Sequence, residues 1–153
     1  EPWVDTVLIL LYSGWRISEL LNLKPEDIDL QAGTMKGGTK TKAGKNRLVP
    51  IHSKIRPLVE ARLAESGPRL ISYNGKACSQ TQYRIFWADI MKALGMTHTP
   101  HECRHTFESQ LDSAGANRKC IDLLMGHVSK DTGNRVYNHK TLDELKAAVE
   151  LVE

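Results

Sequence analysis

The spacing of apolar residues changes period twice along this chain, and that double change limits the fold more than any single motif does. Val4, Val7, Leu8, Leu11 and Tyr12 recur at helical intervals up to Gly14, and Ile17, Leu20, Leu21 and Leu23 continue them in a short second helix. Between Ile28 and Ile51 the apolar residues fall instead in short β-type runs, separated by turn signals at Ala32-Gly33, Gly37-Gly38 and Ala43-Gly44. Helical spacing then returns and holds to the end. A mainly α domain with a small antiparallel three-stranded β-sheet is expected. With 153 residues and 41% hydrophobic side chains, residues 1–153 suffice for one core and a single domain.

The later helices carry their own start and stop signals. Ser53 is read as the cap of a helix reaching Gly67, and Ser79-x-x-Gln82 opens one that runs through Phe86, Ile90 and Leu94 to Gly95. Thr99-Pro100-His101-Glu102 combines a capping box with proline at the first helical position, for a helix ending near Gly115. Asn117 starts another, which stops at Gly126. Thr141-x-x-Glu144 opens the last, with Leu142, Leu145, Val149 and Val152 along one face. Trp87 and Met125 read as core.

Charge is uneven although the formal net value is only +3. Seven basic residues and no acidic one lie between Thr34 and Arg56, whereas the last thirteen residues are net acidic. The first stretch suits a polyanion, or is simply a solvated lysine-rich hairpin. Cys78, Cys103 and Cys120 are odd in number and form no CxxC, so neither a disulfide framework nor a cysteine zinc cluster is indicated, and a reducing, cytosolic setting is expected. No apolar run approaches a membrane span. The abrupt helical start at Glu1-Pro2 suggests that an upstream domain precedes this one.

Residues 101–105, His-Glu-Cys-Arg-His, spell two unrelated chemistries. His101-Glu102-x-x-His105 is the pattern of zinc hydrolases, two imidazoles one turn apart with a carboxylate as general base. His101-x-x-Arg104 is instead a phosphate-binding pair. The cap at Thr99 puts His101 and Arg104 in a first turn, where unpaired N–H groups and the helix dipole favour an anion. Glu102 has a competing role in the capping box, and a guanidinium beside His105 would repel a dication. A third zinc ligand would have to be His127 or Glu108, without a recognisable spacing.

Four more stretches accompany that pair: Tyr12-Ser-Gly-Trp-Arg16-Ile-Ser-Glu19-Leu-Leu, Thr39-Lys-Thr-Lys42-Ala-Gly-Lys-Asn-Arg47-Leu-Val-Pro50, Leu124-Met-Gly-His127 and Val136-Tyr137-Asn-His139. In this order the motifs resemble those of the tyrosine recombinases, the phage-integrase and conjugative-transposon integrase family, across essentially the whole chain. The gap of ten between His127 and Tyr137 is closer to the transposon integrases. The resemblance implies the DNA breaking-rejoining catalytic-domain fold and a catalytic set of Arg16, Lys42, His101, Arg104 and His127 around the nucleophile Tyr137. Lys40 is the alternative to Lys42.

The implied roles suit each residue type. Two guanidinium forks, Arg16 and Arg104, can grip the non-bridging oxygens of a crowded phosphorus centre. Tyr137 attack yields a 3′-phosphotyrosine that conserves the bond for rejoining, so neither a metal nor another cofactor is needed. Lysine can protonate the departing 5′-oxygen. His101 assists tyrosine deprotonation or holds the phosphate, His127 hydrogen-bonds a non-bridging oxygen, and Glu19 and His105 orient these groups. Lys36, Lys40, Lys45 and Arg47 are expected to contact DNA.

The implied partners are double-stranded DNA and further copies of the protein, a tetramer on DNA and a monomer as an isolated domain, with no membrane. An upstream core-binding domain would share site recognition, and residues 141–153 would form a segment that docks on a neighbouring protomer or packs on its own domain. The implied location is the bacterial cytoplasm, at the nucleoid. Type IB topoisomerases use the same residue chemistry, and a DNA-binding module without cleavage is a further alternative to the recombinase reading.

Overall fold

A computed structural model of the chain describes residues 2–38, 45–127 and 140–153. Helices α1 (Val4–Leu11) and α2 (Ile17–Asn22) meet at a corner, and a short 3-10 turn, Pro25–Asp27, leads into the sheet. Strands β1 (Ile28–Asp29), β2 (Thr34–Gly37) and β3 (Arg47–Pro50) pair antiparallel in chain order. Met35 faces Val49 and Gly37 faces Arg47 in the β2–β3 register. Helices α3 (Arg56–Ala64), α4 (Gln80–Leu94), α5 (Pro100–Ser113), α6 (Arg118–Met125) and α7 (Leu142–Val149) complete the domain. The expected class, mainly α with a three-stranded antiparallel sheet, is the one observed.

Two short strands join these elements where the sequence reading had none. β4 (Ser72–Tyr73) and β5 (Lys76–Ala77) form a hairpin around Asn74-Gly75, both at positive φ, as a two-residue hairpin turn requires. Ser53 does not cap α3. Its N–H and Oγ donate to the Glu150 carboxylate at 2.7 and 2.8 Å, while the chain turns over the His52 carbonyl and enters the helix at Arg56-Pro57. That helix also stops at Ala64, with Ser66 rather than Gly67 at positive φ.

One core runs through the domain, with Ile9, Leu10, Trp15, Tyr83, Phe107, Leu111 and Leu124 among its fully buried members; Trp87 and Met125 belong to it as expected. Gly14, three residues past the end of α1, lies against Phe107 of α5. A Cβ there would lie 2.4 Å from Phe107 Cδ1, and φ of +70° already disfavours a side chain.

The C-terminal segment packs on its own domain. Leu145, Ala148 and Val149 of α7 are buried against α6 and β3. Beyond it, His52 accepts the Lys54 N–H at Nδ1, so its Nε2 carries the proton and donates to the Val152 carbonyl at 2.9 Å. No helix among the described residues is long and apolar enough to cross a membrane.

Candidate active site

The corner between α1 and α2 presents Arg16, and local chemistry fixes it there. Arg16 occupies the cap position of α2 with extended backbone, and its N–H donates to Glu19 Oε1 at 3.0 Å, closing the helix's first turn. The same oxygen lies 3.6 Å from Arg16 Nη1. That nitrogen is buried and has no hydrogen-bond partner among the described residues.

Glu19 is almost wholly buried and receives Arg47 through two parallel bonds, Nη1 to Oε2 at 2.6 Å and Nη2 to Oε1 at 2.8 Å. Burial alone would raise the Glu19 carboxyl, but Arg47 and Arg16 outweigh it and hold it below the usual range. The Arg47 guanidinium also lies 4.4 Å over the Trp15 ring, and its Nε donates to the Leu124 carbonyl at 3.0 Å.

Arg104 rises from α5 into the same interior. Nη1 donates to the Gly14 carbonyl at 2.7 Å and Nη2 to the Met125 carbonyl at 2.5 Å. Leu124 and Met125 are the last residues before the helix-ending Gly126, at φ +69°, so their carbonyls lack helical partners. Two arginines supply those partners, and their charge suits the negative end of the helix dipole. Burial, and then the nearby Arg16 and Arg47, push the Arg104 guanidinium down to about 10, still a cation at neutral pH.

His127 follows Gly126, donates its N–H to the Asp122 carbonyl at 2.9 Å, and keeps its ring partly exposed. Nδ1 lies 3.9 Å from Glu108 Oε1. Burial lowers this imidazole below its ordinary value, with Arg104 and Arg16 acting in the same direction against Glu108 and Asp122. Three arginines thus gather about Glu19, with Glu108 at the edge, beside a histidine whose charged form burial disfavours. Such a cluster has an excess of positive charge and is suited to receive an anion.

The phage integrase family profile matches residues 5–144. The chain belongs to the phage integrase family. It is 33% identical over 153 aligned residues to tyrosine recombinase XerA of Thermococcus kodakarensis, covering 94% of this chain and 53% of that protein. It is 32% identical to tyrosine recombinase XerC of Staphylococcus saprophyticus, covering 92% and 50%. The chain spans about half the length of the curated relatives it matches. A crystal structure of XerA recombinase superimposes with a TM-score of 0.69 at 26% identity, over 92% of this chain and 54% of that one. The Tn1549 transposon integrase in complex with circular intermediate DNA gives 0.70 at 25%, over 94% and 55%. The fold is that of these catalytic domains.

Within this integrase-family domain, Arg16, Glu19, Arg104 and His127 lie near one another. His101 lies at the exposed start of α5, in a cleft of about 430 Å³ that Ile17, Gln80, Arg84, Trp87 and His98 also line. His105 is exposed and meets His101 edge to face, ring centroids 4.6 Å apart. Glu102 accepts the Thr99 N–H and lies 3.3 Å from His98 Nδ1, which is the capping role rather than that of a zinc-site base. Among the described residues, no three His, Cys, Asp or Glu side chains are grouped to hold a metal ion. Lys40, Lys42 and Tyr137 lie outside the described residues.

Lys36 and Lys45 are exposed. Arg47 corrects the expectation that grouped it with them. It is 6% exposed and faces Glu19, Leu124 and Trp15. Strand alternation held the missed signal, because Arg47 shares its face with buried Val49 while Leu48 between them points outward. The Gln80 and Arg84 side of the His101 cleft also escaped the sequence reading, since exposed polar positions on a helix carry no distinguishing pattern.

Proposed function

We propose that the chain is the catalytic domain of a site-specific DNA recombinase that cleaves and rejoins strands through a 3′-phosphotyrosine at Tyr137. The observation that carries this reading is the excess of positive charge at the α1–α2 corner, three arginines against Glu19 and the more distant Glu108, with Arg16 Nη1 buried and without a hydrogen-bond partner among the described residues. A phosphodiester supplies the missing charge and acceptors, and more of both as its phosphorus becomes five-coordinate. Tyr137 Oη attacks phosphorus, and the P–O5′ bond breaks with its electron pair passing to O5′. Lys42, or Lys40, gives that oxygen a proton. Arg16, Arg104 and His127 face the non-bridging oxygens, and His101 assists removal of the phenolic proton or holds the phosphate. Rejoining runs the same steps in reverse, so no metal and no nucleotide cofactor enters the scheme.

Double-stranded DNA is the proposed partner, in keeping with the Tn1549 integrase, whose solved structure holds circular intermediate DNA. The full protein is proposed to act as a tetramer on DNA, at the nucleoid in the cytoplasm. A type IB topoisomerase would use the same residues, but the relatives' names and the motif spacing favour recombination.

The test is covalent trapping. A pool of duplexes with randomised cores, each nicked beside the cleavage position so that the released strand end diffuses away, is incubated with the chain. An adduct attached through Tyr137 and absent from Tyr137→Phe is expected. No adduct from any duplex, or an adduct that persists in Tyr137→Phe, overturns the proposal.

A further inference from the structure

Glu108 is a second acid beside the arginine cluster, and strand cleavage by Tyr137 makes no direct use of it. It lies one turn beyond Arg104 on α5, so the two side chains share a face of that helix. Its Oε1 accepts from Arg118 Nη2 at 3.2 Å and stands 3.9 Å from His127 Nδ1. Asp122 Oδ1 is 3.1 Å from the same Nη2, so the exposed guanidinium ties the Glu108 carboxylate to the first turn of α6, while His127 lies past that helix's other end. The charges that act on the His127 ring are Glu108 and Arg104 from α5, Asp122 from α6 and Arg16 from the α1–α2 corner. Burial disfavours the imidazolium, and Glu108 is the strongest influence in the other direction.

We propose that Glu108 is a positioning residue for His127: its carboxylate keeps the ring's proton on Nδ1, so that Nε2 takes a second proton and donates a hydrogen bond to a non-bridging oxygen of the bound phosphodiester. This rests on reading the chain as a strand-cleaving recombinase. An ionised carboxylate only accepts, so the ring nitrogen that faces it is the one that carries hydrogen. In that tautomer the neutral ring has a lone pair at Nε2, which repels a phosphate oxygen. A proton taken from solvent as DNA binds turns Nε2 into a donor. The phosphate and Glu108 then both favour the charged ring, against burial, Arg104 and Arg16.

Two measurements on the same variants decide it. In an NMR titration of the His127 ring without DNA, Glu108→Gln should give a lower midpoint than wild type, because the amide keeps the shape of the side chain but not its charge. Arg118→Gln, which breaks the ion pair and leaves the carboxylate, should give a midpoint no lower than wild type. The rate of covalent trapping is then followed against pH on a duplex that traps wild type. Glu108→Gln should be about 10-fold slower than wild type on the alkaline limb, the scale on which the outer partner of an active-site histidine acts. It should approach the wild-type rate as pH falls and the ring becomes charged without help. Arg118→Gln should keep the wild-type limb or carry it to higher pH. An unmoved midpoint in Glu108→Gln, slowing that is equal at every pH or absent at all of them, or a midpoint in Arg118→Gln as low as in Glu108→Gln overturns the positioning role. Should the glutamine variant fold poorly, Glu108→Ala is judged by the same outcomes. Absence of any adduct from wild type would instead count against the recombinase reading, and the titration would still decide whether Glu108 governs the His127 ring.

Discussion

A buried guanidinium nitrogen without a hydrogen-bond partner is an unfavourable arrangement unless an anion completes it, and Arg16 Nη1, 3.6 Å from Glu19 Oε1 but bonded to nothing, is such a nitrogen among the described residues. Arg104 differs in kind, because Gly14 and Met125 already accept from it, so its remaining protons and its charge are what it offers a phosphate. Arg104→Lys should therefore slow strand cleavage by about 10²–10³-fold while changing DNA affinity little, since one phosphate contact among many contributes little to binding. Cleavage rates and a filter-binding titration check this. Equal losses in both would argue against the clamp. His127 gives a second expectation. Its folded-state value lies below that of free imidazole, so the folded site favours the neutral ring. That contribution to stability is full above the unfolded value of about 6.5 and is lost as pH falls through the lower folded value. An NMR titration of the His127 ring without DNA should show a midpoint below about 6.5. A midpoint at or above that would mean that Glu108 outweighs burial and the arginines.

At the scale of elements, the Arg47–Glu19 pair joins β3 to α2, and Arg47 also reaches the end of α6. Removing one partner leaves the other charged and buried, so Arg47→Ala should cost about 3–5 kcal/mol in urea unfolding, and adding Glu19→Leu should recover part of it. Additive losses would show that the pair is not coupled. The docking of α7 on α6 and β3 is likewise testable. Its amides should resist hydrogen exchange equally at high and low protein concentration, whereas protection that fades on dilution would mean docking on another copy.

The helices were legible in the sequence because caps act locally: Asn117, Ser79 and Thr141 accept the backbone N–H groups that their types suggest. Ser53 misled because its partner, Glu150, is remote in sequence, and no local rule sees such a bond. Asn74-Gly75 was a readable hairpin signal, passed over because its strands are only two residues long. In the site, Arg16 and Arg104 were readable from motif and cap position. The inward turn of Arg47 was readable only through strand alternation with Val49, against the expectation raised by its lysine neighbours.

For the molecule as a whole, Arg16, Arg47, Arg104 and His127 come from separate parts of the chain and meet only when α1, β3, α5 and α6 pack on one core. Cleavage should accordingly disappear in the same urea transition as the far-ultraviolet signal, and activity lost well before that signal would mean that the site opens on its own. The most direct measurement is a crystal structure of the trapped DNA adduct. Its phosphate should be bonded to Tyr137 Oη, with a non-bridging oxygen within hydrogen-bond distance of Arg16 Nη1 and both Arg104 and His127 facing the same phosphorus. A phosphate held only by exposed lysines such as Lys36 and Lys45, with Arg16 Nη1 closed off by the protein itself, would contradict that arrangement.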